Sequence, residues 1–217
     1  MVTIILPTKN EESCIGATIT KIREVCDSPR IIVVDGNSTD STVKIAEENG
    51  IEVIYDHGLG KGEALRCAFD HVNDDVIFLD VDGTYPIHSL PDFIDALDTY
   101  DLVVGERVEF AGDALPKLFL IGDIISRGLF QVLYLSRVDN LSGLRGIKRE
   151  ALEKLSLESD DFGIETEITA KAVRLGLNIK KIPIVYNVRT GNSKFRPIQD
   201  GIIVLRAMFR YRIKKLS

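Results

Sequence analysis

The chain has 217 residues, 45% hydrophobic and 28% charged, which buries one substantial core and excludes a disordered or fibrous chain. The net charge of −6 is unevenly spread: from Lys171 onward 12 basic residues face one acidic residue, Asp200, so this end carries +11 and the rest −17. A basic end on an acidic body points to an anionic partner such as a phosphate or a membrane surface, and without interleaved aromatics it does not suit nucleic acid.

In chain order, Val2–Leu6 predicts a strand directly after Met1, with no basic segment or cleavage site of a signal peptide. Residues 11–25 place Ile15, Ile19 and Ile22 at helical spacing. Arg30–Val34 predicts a strand ending at Asp35. Ser38–Asn49 predicts a helix, with Ser38 and Thr39 as cap candidates and Gly50 past its end. Ile51–Tyr55 is a third strand, Lys61–Val72 a helix, Val76–Leu79 a fourth strand ending at Asp80, Leu90–Leu97 a helix and Leu102–Val104 a strand. The βαβαβαβ order predicts an α/β fold, a mainly parallel sheet with helices on both faces.

Beyond residue 110 the alternation weakens. Leu115–Leu135 predicts a long amphipathic helix, in the core or at a membrane surface; Lys117, Asp123 and Arg127 argue against a membrane span. Leu141–Ile147 predicts a strand, Ile164–Leu175 a helix, Ile179–Val185 a strand and Gly201–Ile213 a basic helix. With no linker, residues 1–217 are expected to form one domain. The scattered Cys14, Cys26 and Cys67 read as buried thiols of a reducing compartment, not a disulfide frame or zinc site, and His57, His71 and His88 suggest no ligand cluster.

Parallel sheets bind ligands at the carboxyl ends of their strands, where Pro7-Thr8-Lys9-Asn10, Asp35-Gly36-Asn37 and Asp80-Val81-Asp82 fall. Asp80 and Asp82 offer hard oxygen ligands for Mg²⁺ or Mn²⁺. The string from Val76 to Thr84 also fits the haloacid-dehalogenase phosphatase signature, with Asp80 as nucleophile. That motif belongs after the first strand, and it needs a later acidic pair behind an apolar strand. Here three strand-like segments precede it, and Asp160-Asp161 follows Leu157-Glu158-Ser159.

Taken with Pro7-Thr8-Lys9-Asn10-Glu11-Glu12 and the run from Val33 to Thr42, the Asp80-Val81-Asp82 motif resembles family 2 glycosyltransferases of the GT-A fold. Gly58-Leu59-Gly60-Lys61-Gly62 resembles their glycine loop, the run from Leu102 to Arg107 their strand with arginine, and Ser126-Arg127-Gly128 a short helical motif. The segments from Asp139 to Arg149 and from Arg189 to Lys194 resemble the closing parts of dolichyl-phosphate mannose and glucose synthases. Lys9, Gly36 and Thr84 depart from common family choices.

The resemblance implies inverting transfer of a hexose from a GDP- or UDP-linked sugar to a polyprenyl phosphate. A soluble phosphorylated acceptor is the alternative. Residues 1–110 would bind the nucleotide sugar, and residues 111–217, with the basic C-terminal helix, the acceptor. Pro7, Lys9, Glu11, Val34, Asp35, Gly36, Asp80, Val81, Asp82 and Arg107 would contact the donor. Pro7 and Val34 equally fit strand-end packing, and Asp35 a turn. Asp80, Asp82 and Thr84 would hold the Mg²⁺ or Mn²⁺. Arg127, Arg189 and Lys194 would hold the acceptor phosphate, with Asp82, Arg189 and Lys194 at the catalytic centre. Glu165 and Glu167 are expected to be structural or donor-contacting. The protein would sit at the cytoplasmic face of a membrane, by peripheral contact or through a membrane partner subunit.

Overall fold

The computed structural model describes residues 1–112, 114–191 and 194–215. The apolar runs become seven strands of one sheet: β1 (Val2–Thr8), β2 (Arg30–Asp35), β3 (Glu52–Tyr55), β4 (Asp75–Phe78), β5 (Leu102–Phe110), β6 (Arg145–Ile147) and β7 (Ile179–Tyr186). Around them lie α1 (Ile15–Val25), α2 (Thr42–Glu48), α3 (Lys61–His71), α4 (Leu90–Leu97), α5 (Lys117–Tyr134), α6 (Arg149–Leu155), α7 (Ile164–Arg174) and α8 (Pro197–Ile213). The sheet order is β3-β2-β1-β4-β6-β5-β7, and β6 alone runs against its neighbours.

Because side chains alternate across a strand, Ile4 and Leu6 of β1 pack with Ile15, Ile19, Ile22, Leu90 and Phe93 on one face. Ile5 packs with Leu65, Phe69, Phe78, Ile164 and Ile168 on the other. A third cluster lies farther out, where Phe130 and Tyr134 of α5 meet Ala170 of α7 and Val204, Met208 and Tyr211 of α8. The chain leaves β1 toward β2 on one side, and β4 joins on the other. Such a reversal of strand order opens a crevice at the strands' carboxyl ends.

Several boundaries differ from expectation because side chains hold the backbone. Glu11 N–H donates to Thr42 Oγ1 (2.7 Å) and Glu12 N–H to Asp40 Oδ2 (3.2 Å), so α1 starts at Ile15 and not at Glu11. Ser38 is not a helix cap; it bonds Asp35, while the Asp40 carboxylate accepts from Thr42 N–H (2.9 Å) and α2 starts at Thr42. β6 begins only at Arg145, since Leu141 N–H goes to Asp139 Oδ1 (3.0 Å) and Gly143 N–H to Tyr85 Oη (2.5 Å). β5 extends to Phe110 because β7 pairs along it. Helix α6 was not expected, and α8 starts at Pro197, a proline suited to a helix's first position. Among the described residues, no helix is long and apolar enough to cross a membrane.

Candidate active site

The crevice holds a cleft of about 230 Å³. Pro7, Thr8, Lys9 and Glu11 at the end of β1, Gly36 after β2, Asp80, Val81 and Asp82 after β4, and Arg189 and Lys194 from the loop after β7 all line it. Three residues expected there do not: Val34, Asp35 and Arg107. Val34 is fully buried on β2 among Ile5, Ala64 and Leu65. Asp35 is 1% exposed and turns inward to accept from Ser38 N–H (2.8 Å) and Ser38 Oγ (2.5 Å). Asp56, which the motifs missed, lines the cleft instead, directly after β3. Burial pushes its carboxyl up despite the bond from Gly58 N–H.

The carboxylates are the centre of the site. Asp80 Oδ1 lies 2.5 Å from Lys61 Nζ, which also lies 2.7 Å from Glu165 Oε1 of α7. Asp82 pairs with Arg189, and its Oδ1 accepts from Thr84 N–H (3.0 Å) and Thr84 Oγ1 (2.5 Å). Thr84 is fully buried and its hydroxyl is already given to Asp82, so it steers that carboxylate. Burial and the charge of Asp80 push the Asp82 carboxyl up, against the pull of Arg189 and Thr84. Burial disfavours charge on Lys61, but Asp80 and Glu165 more than compensate and hold it protonated. Gly143 makes room here: a methyl on it would lie 2.6 Å from Asp80 Oδ2. Glu167 takes no part. It accepts from the N–H groups of Glu158 (3.0 Å) and Ser159 (2.8 Å) and pairs with Lys171 (2.6 Å).

The loop after β7 folds back over these acids. Asn187 N–H donates to Thr84 O (2.8 Å) and Thr190 N–H to Asp82 O (2.9 Å), which sets Arg189 against Asp82. Lys194 pairs with Glu11, whose carboxyl burial pushes up. Asn192 and Ser193 of the same motif lie outside the described residues.

A second cavity of about 560 Å³ adjoins the first, and Lys61, Asp80, Phe162, Arg189 and Phe195 line both. Its other walls are largely apolar: Leu118, Phe119 and Ile125 of α5, Val204 and Leu205 of α8, Leu141 and Val188. Leu118, Ile125 and Val188 are more than half exposed, so the wall continues onto the surface. There the outer faces of α5 and α8 add exposed Ile121, Ile124, Ile202 and Phe209.

Arg107 borders this second cavity, not the smaller cleft. Its guanidinium is tied to Asp139 (2.7 and 2.8 Å) and Asp123 (2.7 Å). Arg127 lines neither space and lies 2.8 Å from both Asp123 and Asp139. The two arginines expected to meet ligand phosphates therefore hold protein carboxylates. The cysteines divide as well: Cys14 and Cys26 are buried, whereas Cys67 is only partly so.

Residues 3–156 match the model of glycosyl transferase family 2. The chain is 35% identical to glycosyltransferase AglJ of Haloferax volcanii, covering 96% of this chain and 71% of that protein. It is 31% identical to the dolichyl-phosphate hexose transferase of the same organism, covering 95% and 92%. Among solved structures it resembles glucosyl-3-phosphoglycerate synthase from Mycobacterium tuberculosis in complex with Mn²⁺, UDP-glucose and phosphoglyceric acid. The TM-score is 0.78 at 25% identity, covering 98% of this chain and 79% of that one. The phosphatase alternative gives way to this match, and the chain, a GT-A sheet with Asp80 and Asp82 at the smaller cleft and Asp80 where the two cavities meet, belongs to glycosyl transferase family 2.

Proposed function

We propose that this glycosyltransferase moves a hexose from a GDP- or UDP-linked sugar to a polyprenyl phosphate, inverting the anomeric carbon, while resting on the cytoplasmic face of a membrane. The observation that carries this reading is the meeting, at Lys61, Asp80 and Arg189, of a small cleft lined by many charged side chains with a larger cavity walled by apolar side chains of α5 and α8. The cleft suits a nucleotide between Pro7, Lys9, Gly36 and Asp56. The cavity suits the first isoprene units of a lipid, and its exposed apolar rim suits the bilayer that holds the rest. The name of the dolichyl-phosphate hexose transferase relative supports the same acceptor.

Asp80 and Asp82 fit a hard divalent cation. They are all-oxygen donors at the cleft, and their present partners Lys61 and Arg189 hold the positive charge that a bound cation would replace. Mg²⁺ or Mn²⁺ bound there would neutralise the charge that grows on the departing diphosphate. An acceptor phosphate oxygen is anionic at neutral pH, so it attacks the anomeric carbon without a general base. The new C–O bond forms as the bond to the nucleoside diphosphate breaks. Arg189 and Lys194, with Lys61 between the two spaces, supply positive charge for orienting phosphates.

A second reading has its own support. The solved synthase carries phosphoglyceric acid, a soluble phosphorylated acceptor. One assay separates the two. The protein, Mn²⁺ and radiolabelled nucleotide sugars are incubated with polyprenyl phosphate or with 3-phosphoglycerate. Label extracted into organic solvent supports the lipid acceptor; label found only in the aqueous product with 3-phosphoglycerate overturns it.

A further inference from the structure

Beside the donor cleft, and outside the carboxylate centre, three side chains of different chemistry converge. His57 follows β3; Glu63 and Cys67 stand four residues apart on one face of α3. His57 Nδ1 lies 2.7 Å from Glu63 Oε1, Cys67 Sγ lies 2.7 Å from that same oxygen, and sulfur and nitrogen are 3.9 Å apart. Glu63 is 3% exposed and fixed from behind, because its Oε2 accepts from His57 N–H at 3.0 Å. The imidazole is exposed, so solvent reaches the group.

One nitrogen, one sulfur and one carboxylate oxygen around a common point form a ligand set for a borderline-soft cation. Mg²⁺ and Mn²⁺ prefer oxygen alone. Tetrahedral zinc, with bonds of about 2.0 to 2.3 Å, needs its ligand atoms roughly 3.4 to 3.6 Å apart. The present spacings bracket that range. Small rotations of the exposed imidazole and the thiol reach it while the Glu63 carboxylate stays anchored.

We propose that His57, Glu63 and Cys67 form a site for a zinc-class divalent cation, separate from the Asp80–Asp82 centre, with a fourth position open to water. Binding forms a sulfur–metal bond and releases the Cys67 thiol proton to solvent. Neither the cysteine nor the histidine spacing in the sequence signals it, since the three ligands meet only where the loop after β3 turns His57 back onto the start of α3. The residues on either side of His57, Asp56 and Gly58, line the donor cleft. An occupied site would therefore brace one wall of that cleft.

Cobalt(II) is the direct probe. Titrated into the whole protein, it should give a thiolate-to-cobalt charge-transfer band and tetrahedral visible bands at one equivalent, and zinc should abolish both. Cys67→Ser should remove the charge-transfer band. His57→Ala should weaken cobalt binding by more than the roughly 10- to 100-fold typical for loss of an outer-shell partner. Both residues lie at least partly at the surface, so melting curves can confirm that the variants fold. Absence of the charge-transfer band in wild type, or its persistence in folded Cys67→Ser, overturns the site.

Discussion

Two clusters of acids and bases lie within this one site region, and they are built to opposite ends. At the junction of the cavities, Asp80, Asp82 and Glu165 face Lys61 and Arg189, and Asp80 and Arg189 each keep 25% of their side chains exposed. Behind it, Asp123 and Asp139 face Arg107 and Arg127, with the two carboxylates at 7% and 0% exposure. The first cluster has more carboxylates than cations and borders empty space. The second is balanced and its carboxylates are buried, although Arg107 and Asp123 also border the larger cavity. Charge held open in this way is available to a ligand, whereas charge matched inside the protein secures the strand that carries Arg107 to the helix and loop around it. A motif alone does not distinguish these uses.

The contrast breaks most clearly by substitution. Asp80→Ala or Asp82→Ala should lower transfer by roughly 10³-fold or more, on the order of 4 kcal/mol in the barrier, with little change in melting temperature. The raised Asp82 pKa explains the second half: a group that binds its proton more readily when folded loses stability as pH rises, so its charge at neutral pH is no asset to the fold. Excess chelator should copy the activity loss in wild type, and Mn²⁺ or Mg²⁺ should reverse it. Full activity in chelator would remove the metal from the reading. Asp139→Ala should act the other way round, leaving Arg107 buried without its main partner. The expected cost is about 3–5 kcal/mol of stability, seen as a fall of roughly 10 °C in melting temperature. A melting temperature unchanged by Asp139→Ala would show that the balanced cluster does not secure the fold.

Acid should expose the same asymmetry more gently. Burial raises the Asp139 carboxyl, but Arg107 and Arg127 overcome it and bring the value down to about 2 from 3.8. A depressed carboxylate contributes stability above its unfolded pKa and loses it as pH falls through the folded one. Up to about 2 kcal/mol should therefore disappear between pH 4 and 2. Urea midpoints over that range should fall less steeply in Asp139→Asn than in wild type. Parallel slopes would mean that Asp139 is not the group responsible.

What was legible in the sequence follows the same divide. Asp80 and Asp82 stand out in the sequence because both carboxylates lie in one short segment after a buried strand, and Arg189 and Lys194 because their motif is contiguous. Asp56 and the Lys61–Glu165 pair depend on which strand ends and helices become neighbours, which no local pattern encodes. The ties of Arg107 and Arg127 to Asp123 and Asp139 are not legible, because those partners come from α5 and the loop after it. Ser38 looked like a cap because capping chemistry and turn chemistry use the same residues. The parallel core was plain from continuous apolar runs. The start of β6 was not, since side chains of Asp139 and Tyr85 take the backbone N–H groups that a longer strand would use.

The smallest effect concerns the basic helix α8, where paired and unpaired charge again differ. Val204, Ala207, Met208 and Tyr211 face inward. Ile198, Ile202, Phe209 and Ile213 remain exposed on the outside with Arg206 and Arg212, while Leu216 and Ser217 lie outside the described residues. Arg210 and Lys214 are not equivalent to those two arginines, because both pair with Glu158 (2.9 and 2.5 Å). A cation already matched by an internal carboxylate gains little more from an anionic surface. An unmatched one contributes on the order of 1 kcal/mol there. In sedimentation with anionic vesicles, Arg206→Gln with Arg212→Gln should therefore weaken binding by roughly 30-fold. The pair Arg210→Gln with Lys214→Gln should weaken it only a few-fold. Neutral vesicles should bind less than anionic ones, and added salt should weaken the anionic case. Equal losses for the two pairs would show that Glu158 does not set them apart. Equal binding to neutral and anionic vesicles would leave the apolar faces of α5 and α8 as the whole attachment, and no binding to either would favour a membrane partner subunit.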